Sequence, residues 1–127
     1  MKILICEDNP LAMKTLSVVL KRDGFEVTTA ADGNEAIKYM ESETYDVFLF
    51  DIHLPYHSGL ELLQYARTTL NLKTPSIILS AFSDPRIQSQ AWELGINGYM
   101  TKPFSPSDLV DKIRTVINQS VGNAEAC

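Results

Sequence analysis

The chain has 127 residues, 45% apolar and 21% charged, with a net charge of −5 at pH 7. That length encloses one hydrophobic core and the composition is globular, so a single domain is expected and an intrinsically disordered chain is excluded. The acidic balance argues against a surface that grips nucleic acid by its phosphates, and no stretch nears the about 20 apolar residues of a membrane span. Met1 to Cys6 runs straight into Glu7 and Asp8, too soon for a secretory signal. Cys6 and Cys127 make no disulfide framework and are expected as free thiols, so the expected location is cytoplasmic.

Lys2 to Cys6 is a short aliphatic run, expected as a strand, and Asn9-Pro10 then supplies a cap followed by proline at the first helical position. Leu16, Val19 and Leu20 recur at helical spacing until Arg22-Asp23-Gly24 ends the helix. Phe25 to Ala30 is a second strand. Asp32 with Glu35 has the capping-box spacing, and Ala36, Ile37 and Met40 form the inward face of the second helix. Val47 to Phe50 is continuously apolar and ends at Asp51, the pattern of a strand buried on both faces, and is placed at the centre. After the loop His53 to His57, Ser58 with Glu61 repeats the capping box, and Leu60, Leu63, Ala66 and Leu70 carry a third helix. Pro75 to Leu79 is a fourth strand. Ser83-Asp84-Pro85 opens a helix that Gly95 closes after Trp92 and Leu94. Gly98 to Met100 is a brief fifth strand. Ser105-Pro106 starts the last helix, with Leu109, Val110, Ile113 and Ile117 inward, expected to end near Gly122 before a frayed tail, Asn123 to Cys127.

Strands alternating with helices over links too long for hairpins imply right-handed crossovers and a parallel sheet covered on both sides, a doubly wound α/β fold. The functional crevice of such a fold lies beyond the carboxyl ends of its strands. Those ends deliver Glu7 and Asp8, then Asp51, then Ser80, then, through Thr101, Lys102. Carboxylates in small number suit magnesium, leaving coordination positions for water and phosphate oxygens. A phosphoryl group on Asp51 would add negative charge that magnesium, Lys102 and the Ser80 hydroxyl offset. His53 and His57 have no partners at zinc spacing.

Glu7-Asp8, Asp51-Ile-His-Leu-Pro55, Gly59, Ser80-Ala81 and Lys102-Pro103-Phe104 together resemble the response-regulator receiver family, over Met1 to about Gln119. The resemblance implies a (βα)5 flavodoxin-like sheet with strand order 2-1-3-4-5, a receiver domain over residues 1–120 and a tail over 121–127. It implies that Asp51 is phosphorylated by a histidine kinase or histidine phosphotransfer protein. Glu7, Asp8 and Asp51, with the backbone carbonyl of His53, would bind Mg2+. Ser80 and Lys102 would complete the site, Ser80 and Tyr99 would act as the switch, and Lys102-Pro103 would be a cis peptide. The output would be a changed face on the fourth helix, fifth strand and fifth helix. Neither direct nucleic-acid contact nor membrane insertion is implied, and a phosphorylation-dependent homodimer is compatible with it. His53 and Phe82 would flank the acyl phosphate and set its lifetime.

Two other functions compete. A phosphorelay intermediate would pass its phosphate on to a histidine domain. An aspartyl-phosphate hydrolase would use the same carboxylate as nucleophile, but such enzymes carry a second aspartate two residues later, where this chain has His53. The chain is therefore expected to be a signalling domain with at most slow self-dephosphorylation, not an enzyme.

Overall fold

The computed structural model describes the backbone of residues 1–81 and 84–126 and the side chains as far as Asn118. Phe82, Ser83 and Cys127 lie outside the described residues. The elements follow in strict alternation: β1 (Lys2–Cys6), α1 (Pro10–Arg22), β2 (Glu26–Ala30), α2 (Gly33–Ser42), β3 (Val47–Asp51), α3 (Gly59–Gln64) continued by a π-helical turn (Tyr65–Thr69), β4 (Ser76–Ser80), α4 (Pro85–Glu93), β5 (Gly98–Thr101) and α5 (Pro106–Ala126). The strands form one parallel sheet in the order β2-β1-β3-β4-β5, so β3 is central, as its unbroken apolar run requires.

Alternation along the strands divides the core. Leu4, Cys6, Phe48, Phe50 and Ile78 face the side carrying α2, α3 and α4, where Ala36, Met40, Leu62, Leu63, Ala66 and Ala91 meet them. Ile3, Ile5, Val47, Leu49, Ile77 and Leu79 face the side of α1 and α5, against Leu16, Leu20, Leu109 and Ile113. Burying each large aliphatic side chain stabilises the fold by roughly 1.5–3 kcal/mol, so a one-residue slip that exchanged the two faces would be severely penalised. The register pairs Ile3 with Val47, Phe50 with Ile78, and Ser80 with Thr101.

The caps read from the sequence form. The Asn9 side chain accepts from the Leu11 and Ala12 N–H groups, Asp32 from Glu35, Ser58 from Glu61, and Asp84 from Arg86. Glu35 reaches back to the Ala31 N–H at 2.8 Å, one residue beyond the usual partner in a capping box. Three features differ from the sequence reading. The third helix changes from α to π at Tyr65, taking an extra residue in the turn Tyr65–Thr69. Leu62, absent from the expected inward face, is fully buried. The last helix continues past Gly122 to Ala126; a glycine inside a helix costs about 1 kcal/mol relative to alanine and does not by itself end one.

Candidate functional site

Parallel strands all point their carboxyl ends to one edge, so β1, β3, β4 and β5 deliver Glu7, Asp51, Ser80 and Lys102 to a common rim. Glu7 is 1% exposed, Asp51 5% and Ser80 0%, so the polar groups at this rim are withdrawn from water. The Lys102 ammonium lies between the two acids, 2.7 Å from Glu7 Oε2 and 2.5 Å from Asp51 Oδ2. The other oxygen of Asp51 accepts the His53 backbone N–H at 2.8 Å, and Glu7 Oε1 accepts that of Asn9 at 3.2 Å. Each carboxylate is thus fixed by one main-chain donor and one ammonium.

Backbone pairing sets Lys102 in place. Its N–H donates to the Ser80 carbonyl at 2.7 Å, the Lys102-Pro103 peptide is cis, and Phe104 returns to the core beside Met100. Close approach sets Asp51 in place: α3 begins directly behind it, with the Gly59 N–H donating to the Ile52 carbonyl at 3.0 Å. A Cβ at Gly59 would overlap the Asp51 carbonyl oxygen and sit 3.0 Å from its carbon, so only glycine fits.

Burial, together with the adjacent Asp51 carboxylate, pushes Glu7 above the ordinary carboxylate range, and Lys102 opposes that rise. Burial alone would lower Lys102, but its contacts with Asp51 and Glu7 outweigh it and hold the ammonium above its usual range. Cys6, directly before Glu7, is pushed up to about 12 by burial and by Asp32, Glu35, Glu7 and Asp51 around it.

Of the residues expected at the site, the fold thus joins Glu7, Asp51 and Lys102 by direct contact, with Ser80 on the adjoining strand end. Asp8 and His53 are exposed at the rim. Tyr99 is half-buried on β5 opposite Ile78, packed against the core cluster that includes Ala91 of α4. Phe82, expected to flank the phosphate, lies outside the described residues. Among the described residues no three His, Cys, Asp or Glu side chains already converge as a metal cage; Lys102 supplies the positive charge between the buried pair. The donor set nevertheless fits a hard cation. The Glu7 and Asp51 carboxylates share one ammonium and Asp8 is exposed at the same rim, an oxygen-only set with surplus negative charge, which suits magnesium and not a softer metal.

The sequence reading missed Arg67 and Gly33. Arg67 is half-buried behind the sheet, and Gly33 at the start of α2 lies where a Cβ would come within 2.6 Å of His57 Cβ. Neither carries a motif, and a lone arginine or glycine in a helix has no periodic signal.

The model of the response regulator receiver domain matches residues 3–114. The cell cycle transcriptional regulator CtrA of Caulobacter vibrioides is 32% identical over 99% of this chain, which spans 54% of that protein's length. A CheY-like receiver domain protein from Methanospirillum hungatei superposes with a TM-score of 0.91 at 29% identity, covering 96% of this chain and 97% of the other. The receiver domain of the Francisella response regulator 1452 does so at 0.87 and 30% identity, over 94% and 98%. Phosphorylation on aspartate and magnesium binding are typical of this family of two-component signalling domains. The rim of acids and lysine, the 2-1-3-4-5 sheet and the match over nearly the whole chain lead to one conclusion: the chain belongs to the response regulator receiver domain family.

Proposed function

We propose that Asp51 accepts a phosphoryl group from a phosphohistidine of a histidine kinase or histidine phosphotransfer protein, in the cytoplasm, and that the chain is a signalling switch and not a turnover enzyme. The observation that carries this is the placement of Asp51: a buried carboxylate at the end of the central strand, one oxygen held by the His53 N–H and the other by Lys102. An oxygen of Asp51 attacks phosphorus as the P–N bond to the donor imidazole breaks, and the imidazole leaves with the bonding electron pair and takes up a proton. Glu7, Asp8, Asp51 and the His53 carbonyl would hold magnesium, which would supply charge neutralisation for the transferring group. The chain's own part is positional. Main-chain donors fix the carboxylates, and Lys102 exchanges its contact with the Asp51 oxygen for the arriving phosphoryl oxygens.

Ser80, one residue past the β4 partner of Asp51, follows the phosphate, and Tyr99 on β5 repacks against α4. The α4-β5-α5 face thereby changes its affinity for a downstream effector. Such a shift requires the phosphoryl group to interact more favourably with one arrangement than with the other. The test is intact-mass labelling by a small phosphodonor such as acetyl phosphate, with and without magnesium. Labelling of the parent and none of Asp51→Asn is expected. Equal labelling of both proteins would reassign the acceptor, and sustained turnover of phosphate esters would favour the hydrolase.

A further inference from the structure

Arg67 is a half-buried cation that the site does not use. It lies in the π-helical turn that continues α3, and among the described residues none of its partners is a carboxylate. Nε donates to the Leu94 carbonyl at 3.3 Å and Nη1 to the Leu72 carbonyl at 3.1 Å. Nη2 donates to the Gly95 carbonyl at 3.1 Å and to Ser76 Oγ at 3.3 Å. Two of these acceptors, Leu94 and Gly95, form the C-terminal end of α4.

A helix end leaves its last carbonyls without intrahelical donors and carries partial negative charge. In α4 the Ala91 carbonyl accepts from Ile96 and the Trp92 carbonyl from Gly95, a closure that Gly95 permits by taking φ 85. The last turn of α4 contains no basic residue. The cation that complements its negative end comes instead from α3, through Arg67. At the other end the cap is made within the helix's own first turn, by Asp84 on the Arg86 N–H at 2.9 Å.

We infer that Arg67 is a latch that caps the C-terminal end of α4 from a different helix and makes it the anchored end. The extra residue of the π turn belongs to this device, because it changes the azimuth at which Arg67 leaves α3. The fork shape of the guanidinium belongs to it too, since one ammonium cannot reach acceptors on the α4 end, the Leu72 loop and β4 together. The α3 segment then abuts the Asp51 backbone through Gly59 at its start and holds α4 through Arg67 at its finish. A direct mechanical connection thus runs from the rim to α4. The latch itself needs neither phosphate nor metal, so its test is independent of the phosphoryl-transfer reading.

The experiment is hydrogen exchange, read residue by residue by NMR, on the unphosphorylated parent, Arg67→Met, Arg67→Lys and Ser76→Ala. In Arg67→Met, the amides of Leu94, Gly95 and Ile96 should exchange about tenfold faster or more, as expected for losing a charged helix cap and its hydrogen bonds. Amides of β1 and β3 should stay within about twofold of the parent, because local opening does not track global unfolding. Arg67→Lys should resemble Arg67→Met, and Ser76→Ala, which removes one acceptor without core volume, should show a smaller acceleration at the same amides. Unchanged exchange at Leu94 to Ile96 would overturn the inference. So would an equal rise in β1 and β3, which would make Arg67 a contributor to overall stability, and so would full rescue by lysine. Should Arg67→Met fail to fold, Arg67→Lys and Ser76→Ala decide the matter by the same amides.

Discussion

Lys102 illustrates how much one residue's surroundings change its meaning. In the sequence it is a basic residue before a proline; in the fold its ammonium is the counter-charge to two buried carboxylates. Lys102→Ala should therefore lose stability as well as coupling. Leaving Glu7 and Asp51 buried together without it should cost about 2 kcal/mol, the order expected when a buried ionic group loses its partner. Added magnesium should restore part of this loss, and urea unfolding with and without the ion measures it; an unchanged midpoint would show that water already compensates the acids. Asp51→Asn should have the opposite sign at the same site. It removes one of the two buried negative charges and leaves Glu7 as the other, so beryllofluoride binding with magnesium should be abolished while the thermal midpoint holds or rises. Calorimetric titration and thermal melting report the two halves of that expectation separately.

At the scale of the element, α3 is the piece whose two ends matter most. Gly59→Ala introduces a methyl group against the Asp51 backbone, where no flexible side chain can yield, so α3 must back away from β3 or the carboxylate must move. Overpacking of this kind typically costs about 1–3 kcal/mol. The expected outcome is a chain that still folds but takes up phosphate from a small donor at least about tenfold more slowly, since a small displacement of a reacting group carries that order of penalty. Labelling kinetics at saturating magnesium check it; a parent-like rate would mean that α3 retreats without disturbing Asp51.

The whole molecule should respond to alkaline pH through two groups withdrawn from solvent, Tyr45 and Cys6. Tyr45 is pushed up to about 12 by burial, reinforced by the Glu43 carboxylate to which its hydroxyl donates and opposed by Thr28. Cys6, fully buried, is likewise pushed up to about 12. A group whose folded pKa is raised holds its proton more tightly when folded. The stability it contributes is therefore complete below its unfolded pKa and is lost as pH rises toward the folded value. For these two groups the loss should run from about pH 9 to about 12, the interval between the ordinary thiol and phenol values and the shifted ones. Urea midpoints measured across that interval should fall for the parent and fall less steeply for Tyr45→Phe. Parallel slopes would show that Tyr45 ionises in the folded chain as readily as in the unfolded one.

The elements and their order were determined by the sequence alone, because hydrophobic alternation, proline after a cap residue and glycine at helix ends act within a few residues of chain. The same local logic located Glu7, Asp51, Ser80 and Lys102, since a parallel sheet carries every strand's carboxyl end to one edge whatever else it does. Tertiary structure decided what distance along the chain conceals. Lys102 and Glu7 are 95 residues apart and Arg67 and Gly95 are 28 apart, and neither contact has a periodic trace. The π turn over Tyr65 to Thr69, in which Arg67 lies, left no periodic trace either. Gly59 stands between these cases. Its identity is plain in the sequence, but the reason for it, a backbone oxygen of Asp51 where its side chain would be, exists only once α3 has docked on β3.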